Sequence, residues 1–381
     1  MTKQEGIMKE FKSMPITVIT GYLGSGKTTL LNHILKNDKG YKIAVIVNDI
    51  GEVNIDADLI EDGGVVNSKD DSLVPLQNGC ICCTLKQSLI DQICELVGKQ
   101  KFDHIVIEAS GICEPVPIAQ TIVAIGDMCK QNHMPEICHL DAVVSVVDAN
   151  RLAKEFDCGE AIVKDNLDDE DLENLVFQQL EFCDVIVLNK VSDVTKTELE
   201  KVKAVIKKIQ PLAKIIETDY SHVDIDEVID TNLFDFERSA GSAGWIREME
   251  KDEEEQEEGE TEEYGISTYV YQRREPFDAK KFAQFLDEDW KRNIIRSKGI
   301  LYFKNDLDNC YLFESAGNQK NLKENGAWWA TMPKQQLEVL KKEQPEMFKN
   351  WDEKYGDREV KLVFIGQNMD KKALKDKLDS I

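Results

Sequence analysis

The stretch Gly21-Tyr-Leu-Gly24-Ser25-Gly26-Lys27-Thr28-Thr29 holds the pattern G-x4-G-K-T between an apolar run, Ile16 to Thr20, and a helix-spaced set, Leu30, Leu31, Ile34 and Leu35. Strand, glycine-rich loop and helix form the context in which this pattern cradles phosphate. Glycines let backbone N–H groups close around a triphosphate. Lys27 brings a point charge to the outer phosphates, and the Thr28 hydroxyl can ligate Mg²⁺ at the helix N-terminus. Gly21, Gly24, Ser25, Gly26, Lys27, Thr28 and Thr29 are therefore the first nucleotide-binding candidates.

Hydrolysis also needs an acid at the end of a neighbouring strand, to organise the metal shell or the attacking water. Glu108 stands at such a place, after His104-Ile-Val-Ile107 and before the turn Ala109-Ser110-Gly111, so Lys27, Thr28 and Glu108 are the catalytic candidates. Base choice falls to Asn189 and Lys190, which end the run Val185 to Leu188, in Leu-Asn-Lys-Val-Ser-Asp193. A carboxylate here accepts from the guanine N1 and 2-amino protons, and it rejects adenine because the site's polar groups are then left unpaired. The guanine-reading pattern N-K-x-D is shifted by one residue, with Ser192 at the usual Asp position and Asp193 after it. GTP is the expected nucleotide, with Asp193 as the candidate reader.

Among ten cysteines, Cys80, Cys82 and Cys83 fall within four residues, in Asn-Gly-Cys-Ile-Cys-Cys-Thr84. Three thiols so close suit a thiophilic ion such as Zn²⁺, which takes about four ligands. No regular element points all three the same way, whereas a turn at Gly79 feeding a helix at Thr84 lets them converge, and the helix N-terminus favours thiolates. The fourth ligand is sought in Asn48-Asp49-Ile50-Gly51-Glu52, which adds Asp49 and Glu52 to the metal candidates. Cys129, His133, Cys138 and His139 are a rival set that lacks tight paired spacing.

These residues must be positioned by a chain of 381 residues with 47 Lys and Arg against 72 Asp and Glu, a net charge of −25. At ~150 residues per domain, two or three domains are expected. So negative a surface disfavours nucleic acid and anionic membrane as partners. No signal-peptide pattern and no run of 18 apolar residues appears, which places the chain in the cytoplasm. Short β-branched runs at Lys42 to Val47, Ile105 to Ile107, Ala142 to Val147, Val185 to Leu188 and Lys214 to Thr218 are separated by helix-length stretches such as Leu85 to Val97, Leu172 to Phe182 and Thr197 to Ile209. Buried strands alternating with helices imply an α/β domain with a mostly parallel sheet. After an N-terminal extension, residues 1–13, this P-loop NTPase domain is expected over residues 14–236.

Residues 237–263 form an acidic linker, since 248–263 alone hold 11 acidic residues and one Lys, too polar to offset the cost of ordering. Residues 264–381 then read as a smaller α+β domain: strand Gly265 to Tyr271, helix Ala279 to Asp287, strands Ile300 to Phe303 and Tyr311 to Glu314, helix Lys334 to Lys342, strand Val360 to Ile365 and helix Lys371 to Leu378.

The motifs GYLGSGKTT at 21–29, NDIGEVNID at 48–56, NGCICCTL at 78–85, EASGICEP at 108–115 and LNK at 188–190 resemble the CobW-like P-loop GTPases, which are related to the hydrogenase and urease nickel-insertion GTPases. The C-terminal part, with YGISTYVYQRREPFD and GDREVKLVFIG, is similar to that family's C-terminal domain. The resemblance implies GTP hydrolysis, with Mg²⁺, coupled to binding a transition metal, usually zinc, at the C-x-C-C thiols and delivering it to a metal-dependent client protein. A metal buffer with incidental hydrolysis is the alternative, and a homo-oligomer stays open. Two departures stand out: Asp49 where the family often has Glu, and acidic residues where many members carry a His-rich stretch.

Overall fold

β-branched residues fill the strands that the apolar runs mark. The computed structural model describes residues 12–47, 73–75, 85–111, 115–156, 170–235, 265–291, 293–316 and 319–381. In chain order the first elements are β1 (Met14–Thr20), α1 (Lys27–Leu35), β2 (Ile43–Val47), β3 (Leu73–Pro75), α2 (Leu85–Lys99), β4 (His104–Glu108) and α3 (Pro115–Gln131). There follow β5 (Cys138–Asp148), α4 (Ala149–Phe156), α5 (Glu170–Glu181), β6 (Val185–Asn189), α6 (Lys196–Ile209) and β7 (Lys214–Glu217). The strands make one parallel sheet in the order β3-β2-β4-β1-β5-β6-β7. This is the expected α/β P-loop architecture.

All seven residues of β1 are buried, as expected of a central strand covered on both faces. On one face Leu30, Leu31 and Ile34 of α1 pack with Val45, Val106, Val144 and Val187 of the sheet and with Val228 and Ile229. The chain crosses from β1 to β2 on one side and from β4 to β5 on the other, so the loop after β1 opens at the switch point where α/β sheets bind ligands. α3 was not singled out by the sequence. Its run PVPIAQTIVAIG is apolar almost all round, which blurs the 3.6-residue period.

The central strands β1, β4 and β5 carry a buried polar triad. The Thr17 hydroxyl donates to Asp141 Oδ2 at 3.0 Å, so it accepts from His104 Nε2, 2.9 Å away, which places a proton on Nε2. Burial pushes the His104 pKa down to about 3. A histidine that stays neutral when folded binds its proton first in the unfolded chain, so its contribution is complete above pH ~6.5 and shrinks as pH falls, by about 1.4 kcal/mol per pH unit. Asp141, raised by burial, titrates with the opposite sign. The expected result is that His104→Gln flattens the dependence of the urea midpoint between pH 7 and 5 relative to the parent chain. Identical slopes would refute this reading of His104.

A second compact unit carries a five-stranded antiparallel sheet, β11-β10-β9-β12-β8. Its elements are β8 (Ile266–Arg273), α7 (Ala279–Gln284), β9 (Ile294–Phe303), β10 (Asp306–Ala316), β11 (Gln319–Ala327), α8 (Lys334–Glu343), β12 (Val360–Gln367) and α9 (Lys371–Asp379). The expected helix from Ala279 to Asp287 is α-helical only to Gln284 and ends in a π-helical turn, Phe285–Asp289. Phe282 and Phe285 thereby both enter an aromatic core with Phe277, Phe303 and Phe313. β11, QKNLKENGA, is an added edge strand. Its lysines and lack of apolar alternation hide it in the sequence and also discourage edge-to-edge pairing.

Lys298 Nζ lies 2.8 Å from Glu314 Oε1, with the two side chains 12% and 6% exposed. Taking the partner from a buried charge costs about 3–5 kcal/mol. Lys298→Met should therefore lower unfolding free energy in urea by roughly that amount, and a change below about 1 kcal/mol would show the pair to be energetically idle.

Candidate nucleotide-binding site

Strands β1, β2, β4, β5 and β6 end side by side at one edge, at Thr20, Val47, Glu108, Asp148 and Asn189. From that edge the chain leaves β1 through Gly21 (φ 141°), Gly24 (φ 77°) and Gly26 (φ 115°), backbone conformations that L side chains rarely adopt. Lys27 opens α1 and is 6% exposed, with its ammonium 3.3 Å from the Tyr22 carbonyl. Ser25 Oγ is buried with no hydrogen-bond partner among the described residues. Tyr22 is held by the Arg151 guanidinium, 3.7 Å over its ring. Thr28 is half-buried and Thr29 exposed.

The other half of the site comes from the ends of β6 and β7. Asn189 is 2% exposed. Its Nδ2 donates to the Ser25 carbonyl at 2.8 Å, and its Oδ1 accepts from the Ser221 N–H at 2.9 Å. Ser221 Oγ donates to the Gly26 carbonyl at 3.0 Å. Gly26 has no room for a side chain: a Cβ there meets Asn189 Nδ2 at 2.4 Å and Ser221 Oγ at 2.5 Å. Lys190, at φ 59°, sends its ammonium to the Gly24 carbonyl at 2.8 Å and to Asp148 Oδ2 at 2.6 Å. The imidazole of His33 on α1 donates through Nε2 to the Tyr220 carbonyl at 3.1 Å. The phosphate loop and the loops after β6 and β7 thus form one hydrogen-bonded unit. Asp148 and Ser221 were not singled out by the sequence. Asp148 is marked by its strand-end position after Val146-Val147, whereas Ser221 has no local signal.

Glu108 is 1% exposed and sits between β1 and β2, in register with Ile19 and Val47. A buried carboxylate at a strand end and a hydroxyl on the first turn of α1 are oxygen donors of the type Mg²⁺ prefers, so Thr28 and Glu108 fit that ion. Asp193 lies exposed in a short 3₁₀ turn, Val191–Asp193, its N–H donating to the Lys190 carbonyl at 3.1 Å. Cys80, Cys82, Cys83, Asp49 and Glu52 lie outside the described residues. Among the described residues no group of three His, Cys, Asp or Glu side chains could hold a metal ion. Within the rival set Cys138 is fully buried, burial pushes its thiol up to about 12, and His139 Nδ1 is engaged by Ser13 Oγ at 2.8 Å. Among the described residues no helix is long and apolar enough to cross a membrane.

Residues 15–217 match the CobW/HypB/UreG nucleotide-binding domain, and residues 266–381 match the cobalamin synthesis protein cobW C-terminal domain. The chain is 34% identical over 375 residues to zinc-regulated GTPase metalloprotein activator 1 of Dictyostelium discoideum, covering 95% of this chain and 78% of that protein. It is also 34% identical over 241 residues to the zinc chaperone CobW of Pseudomonas aeruginosa, with 59% of this chain and 62% of that one covered. The solved Zn(II)-bound YjiA GTPase of E. coli aligns at 21% identity and a TM-score of 0.43, over 97% of this chain and 99% of that one. Both parts of the chain are matched and the phosphate loop stands in its expected place, so this protein belongs to the CobW/HypB/UreG family of P-loop GTPases.

Proposed function

We propose that this chain is a metallochaperone that holds zinc at Cys80, Cys82 and Cys83, with Asp49 and Glu52 completing the ligand set, and delivers it to a metal-dependent client protein as GTP is hydrolysed. One arrangement carries the reading. β1, β4 and β2 end side by side, with Glu108 in register with both Ile19 and Val47. The start of the phosphate loop, the buried acid and the end of β2 at Val47 therefore lie together at one edge of the sheet. The names of the relatives, a zinc-regulated activator and a zinc chaperone, support zinc as the cargo.

In this reading Lys27 and the loop N–H groups hold the outer phosphates, and Glu108 orients a water. That water's oxygen bonds to the γ-phosphorus as the bond to the bridging oxygen breaks, giving GDP and inorganic phosphate. Mg²⁺ bound at Thr28 supplies charge neutralisation on the phosphate oxygens. Loss of the γ-phosphate alters what the segment after Val47 can contact, and zinc affinity changes with it. Such coupling is reciprocal, so zinc alters nucleotide affinity by the same factor.

The test is a competition titration of zinc with magnesium GTP, with magnesium GDP and without nucleotide, phosphate release being read on the same samples. Zinc affinity should differ between nucleotide states, and Cys82→Ser should weaken zinc binding while sparing GTP binding. Zinc affinity indifferent to nucleotide, with phosphate release indifferent to zinc, would replace the proposal by a metal buffer that hydrolyses GTP incidentally.

A further inference from the structure

The carboxylate expected to read guanine is missing from its usual place, where Ser192 stands. The structure brings another to it. Strands β6 and β7 are parallel neighbours, with Leu188 in register with Glu217, so the turns that follow them meet above the sheet edge. There Ser192 N donates to Asp219 Oδ1 at 3.0 Å, and Ser192 Oγ donates to the same oxygen at 2.9 Å. Two residues on, the Ser221 N–H binds Asn189 Oδ1, so the turn that carries Asp219 is tied to the asparagine of the base-reading pattern itself. Tyr220 and Ser221 adopt φ of 54° and 52° to make that tie.

We infer that Asp219 supplies the guanine-reading carboxylate of this chain, its position fixed by Ser192, and that Asp193 does not. The inference rests on the GTP reading above and deepens it. A carboxylate offers about four acceptor sites. Ser192 fills two of them, both on Oδ1. Two remain, which matches the two protons that guanine presents on N1 and its 2-amino group. Adenine presents an acceptor at N1 and no 2-amino group, so it leaves the carboxylate unpaired. The N–H of Tyr220, for which no hydrogen bond to a described residue appears, follows Asp219 directly and is a donor suited to the guanine O6. Asp193 takes part in neither set of ties: its turn is closed by its own N–H to the Lys190 carbonyl, and its side chain makes no hydrogen bond among the described residues.

An asparagine at 219 keeps one acceptor and gains a donor, which fits xanthine: its N1–H is still accepted and its 2-oxo group now receives a hydrogen bond. The experiment measures binding of guanosine, adenosine, inosine and xanthosine diphosphates to the full-length chain and to Asp219→Asn and Asp193→Asn, with melting temperature as the check on folding. The parent chain should prefer GDP to ADP, and should bind the inosine form, which lacks the 2-amino group, about tenfold more weakly than GDP. Asp219→Asn should weaken GDP by about 100-fold and invert the preference toward xanthosine diphosphate, while Asp193→Asn stays like the parent.

A parent chain that binds ADP as well as GDP sinks the guanine reading itself, and the inference with it. A parent that discriminates, with Asp219→Asn still preferring GDP, sinks only the role of Asp219, and inversion by Asp193→Asn would hand that role to Asp193. Loss of both guanosine and xanthosine diphosphates at an unchanged melting temperature makes Asp219 a support of the turn and overturns the inference. Should Asp219→Asn fail to fold, Ser192→Ala decides: it leaves Asp193 and Asp219 in the chain and removes the hydroxyl that holds Asp219. A loss of GDP affinity with a weaker preference for GDP over ADP supports the inference, and an unchanged preference in a folded Ser192→Ala overturns it.

Discussion

Lys27→Ala is expected to lower kcat/KM for GTP by about 10³-fold or more, the loss that follows removal of a preorganised charge from a site of developing negative charge. The fold should survive. Lys27 is 6% exposed at the first position of α1, so the parent chain already bears the cost of desolvating an ammonium, and alanine removes that cost along with the charge. Phosphate release and thermal melting, measured together, separate the two effects. Turnover within tenfold of the parent would withdraw Lys27 from the chemistry. Under the proposed coupling, zinc should still bind this variant but its affinity should no longer respond to GTP.

The second large effect is expected at Gly26. A methyl group there meets Asn189 Nδ2 at 2.4 Å and Ser221 Oγ at 2.5 Å. Neither atom can swing aside cheaply, because Asn189 and Ser221 are both buried and hydrogen-bonded to the phosphate loop. The φ of 115° adds backbone strain of about 1–2 kcal/mol. With one or two hydrogen bonds of about 1 kcal/mol each also lost, Gly26→Ala should weaken GTP binding by roughly 100-fold. Gly24→Ala is the control. Its φ is 77° but its Cβ meets nothing within 4 Å, so only the strain is incurred and the loss should stay near tenfold. Equal losses in the two variants would mean that contact with Asn189 and Ser221 contributes nothing.

These two predictions also mark how far the sequence carries. The phosphate loop is legible because its chemistry is local: glycines, Lys27 and Thr28 act within one turn between a strand and a helix, and spacing alone locates them. The alternating fold is legible for a similar reason, since buried parallel strands leave unbroken β-branched runs such as Ile43–Val47. The contacts of Asn189 with Ser221 and of Ser192 with Asp219 are not local. They join residues 32 and 27 positions apart, and only the pairing of β6 with β7 determines that they meet. Spacing along one strand end points to Asp193, the next acid in the chain, whereas the carboxylate that Ser192 hydrogen-bonds is that of Asp219. β11 escaped notice for a different reason: a solvent-facing edge strand buries little and so leaves little apolar pattern to read.

The clasp between the phosphate loop and the turn after β7 also sets a timetable for synthesis. Ser221 Oγ meets the Gly26 carbonyl across 195 positions of chain, and Asn189 meets Ser25 across 164. At ~5–20 residues per second, roughly 10–40 s separate the emergence of Gly26 from that of Ser221. For the earlier part of that interval, until Asp148 has emerged, β1 is out of the ribosome without both β4 and β5, the strands that flank it in the finished sheet, so an apolar central strand waits for its partners. Nucleotide cannot rescue the nascent chain early, because the residues that clasp the phosphate loop, Asn189 and Ser221, are among the last parts of the domain to be made. GTP is therefore a ligand that stabilises only the completed domain, and release of the newborn protein from chaperones should depend on nucleotide only after residue 221 has emerged.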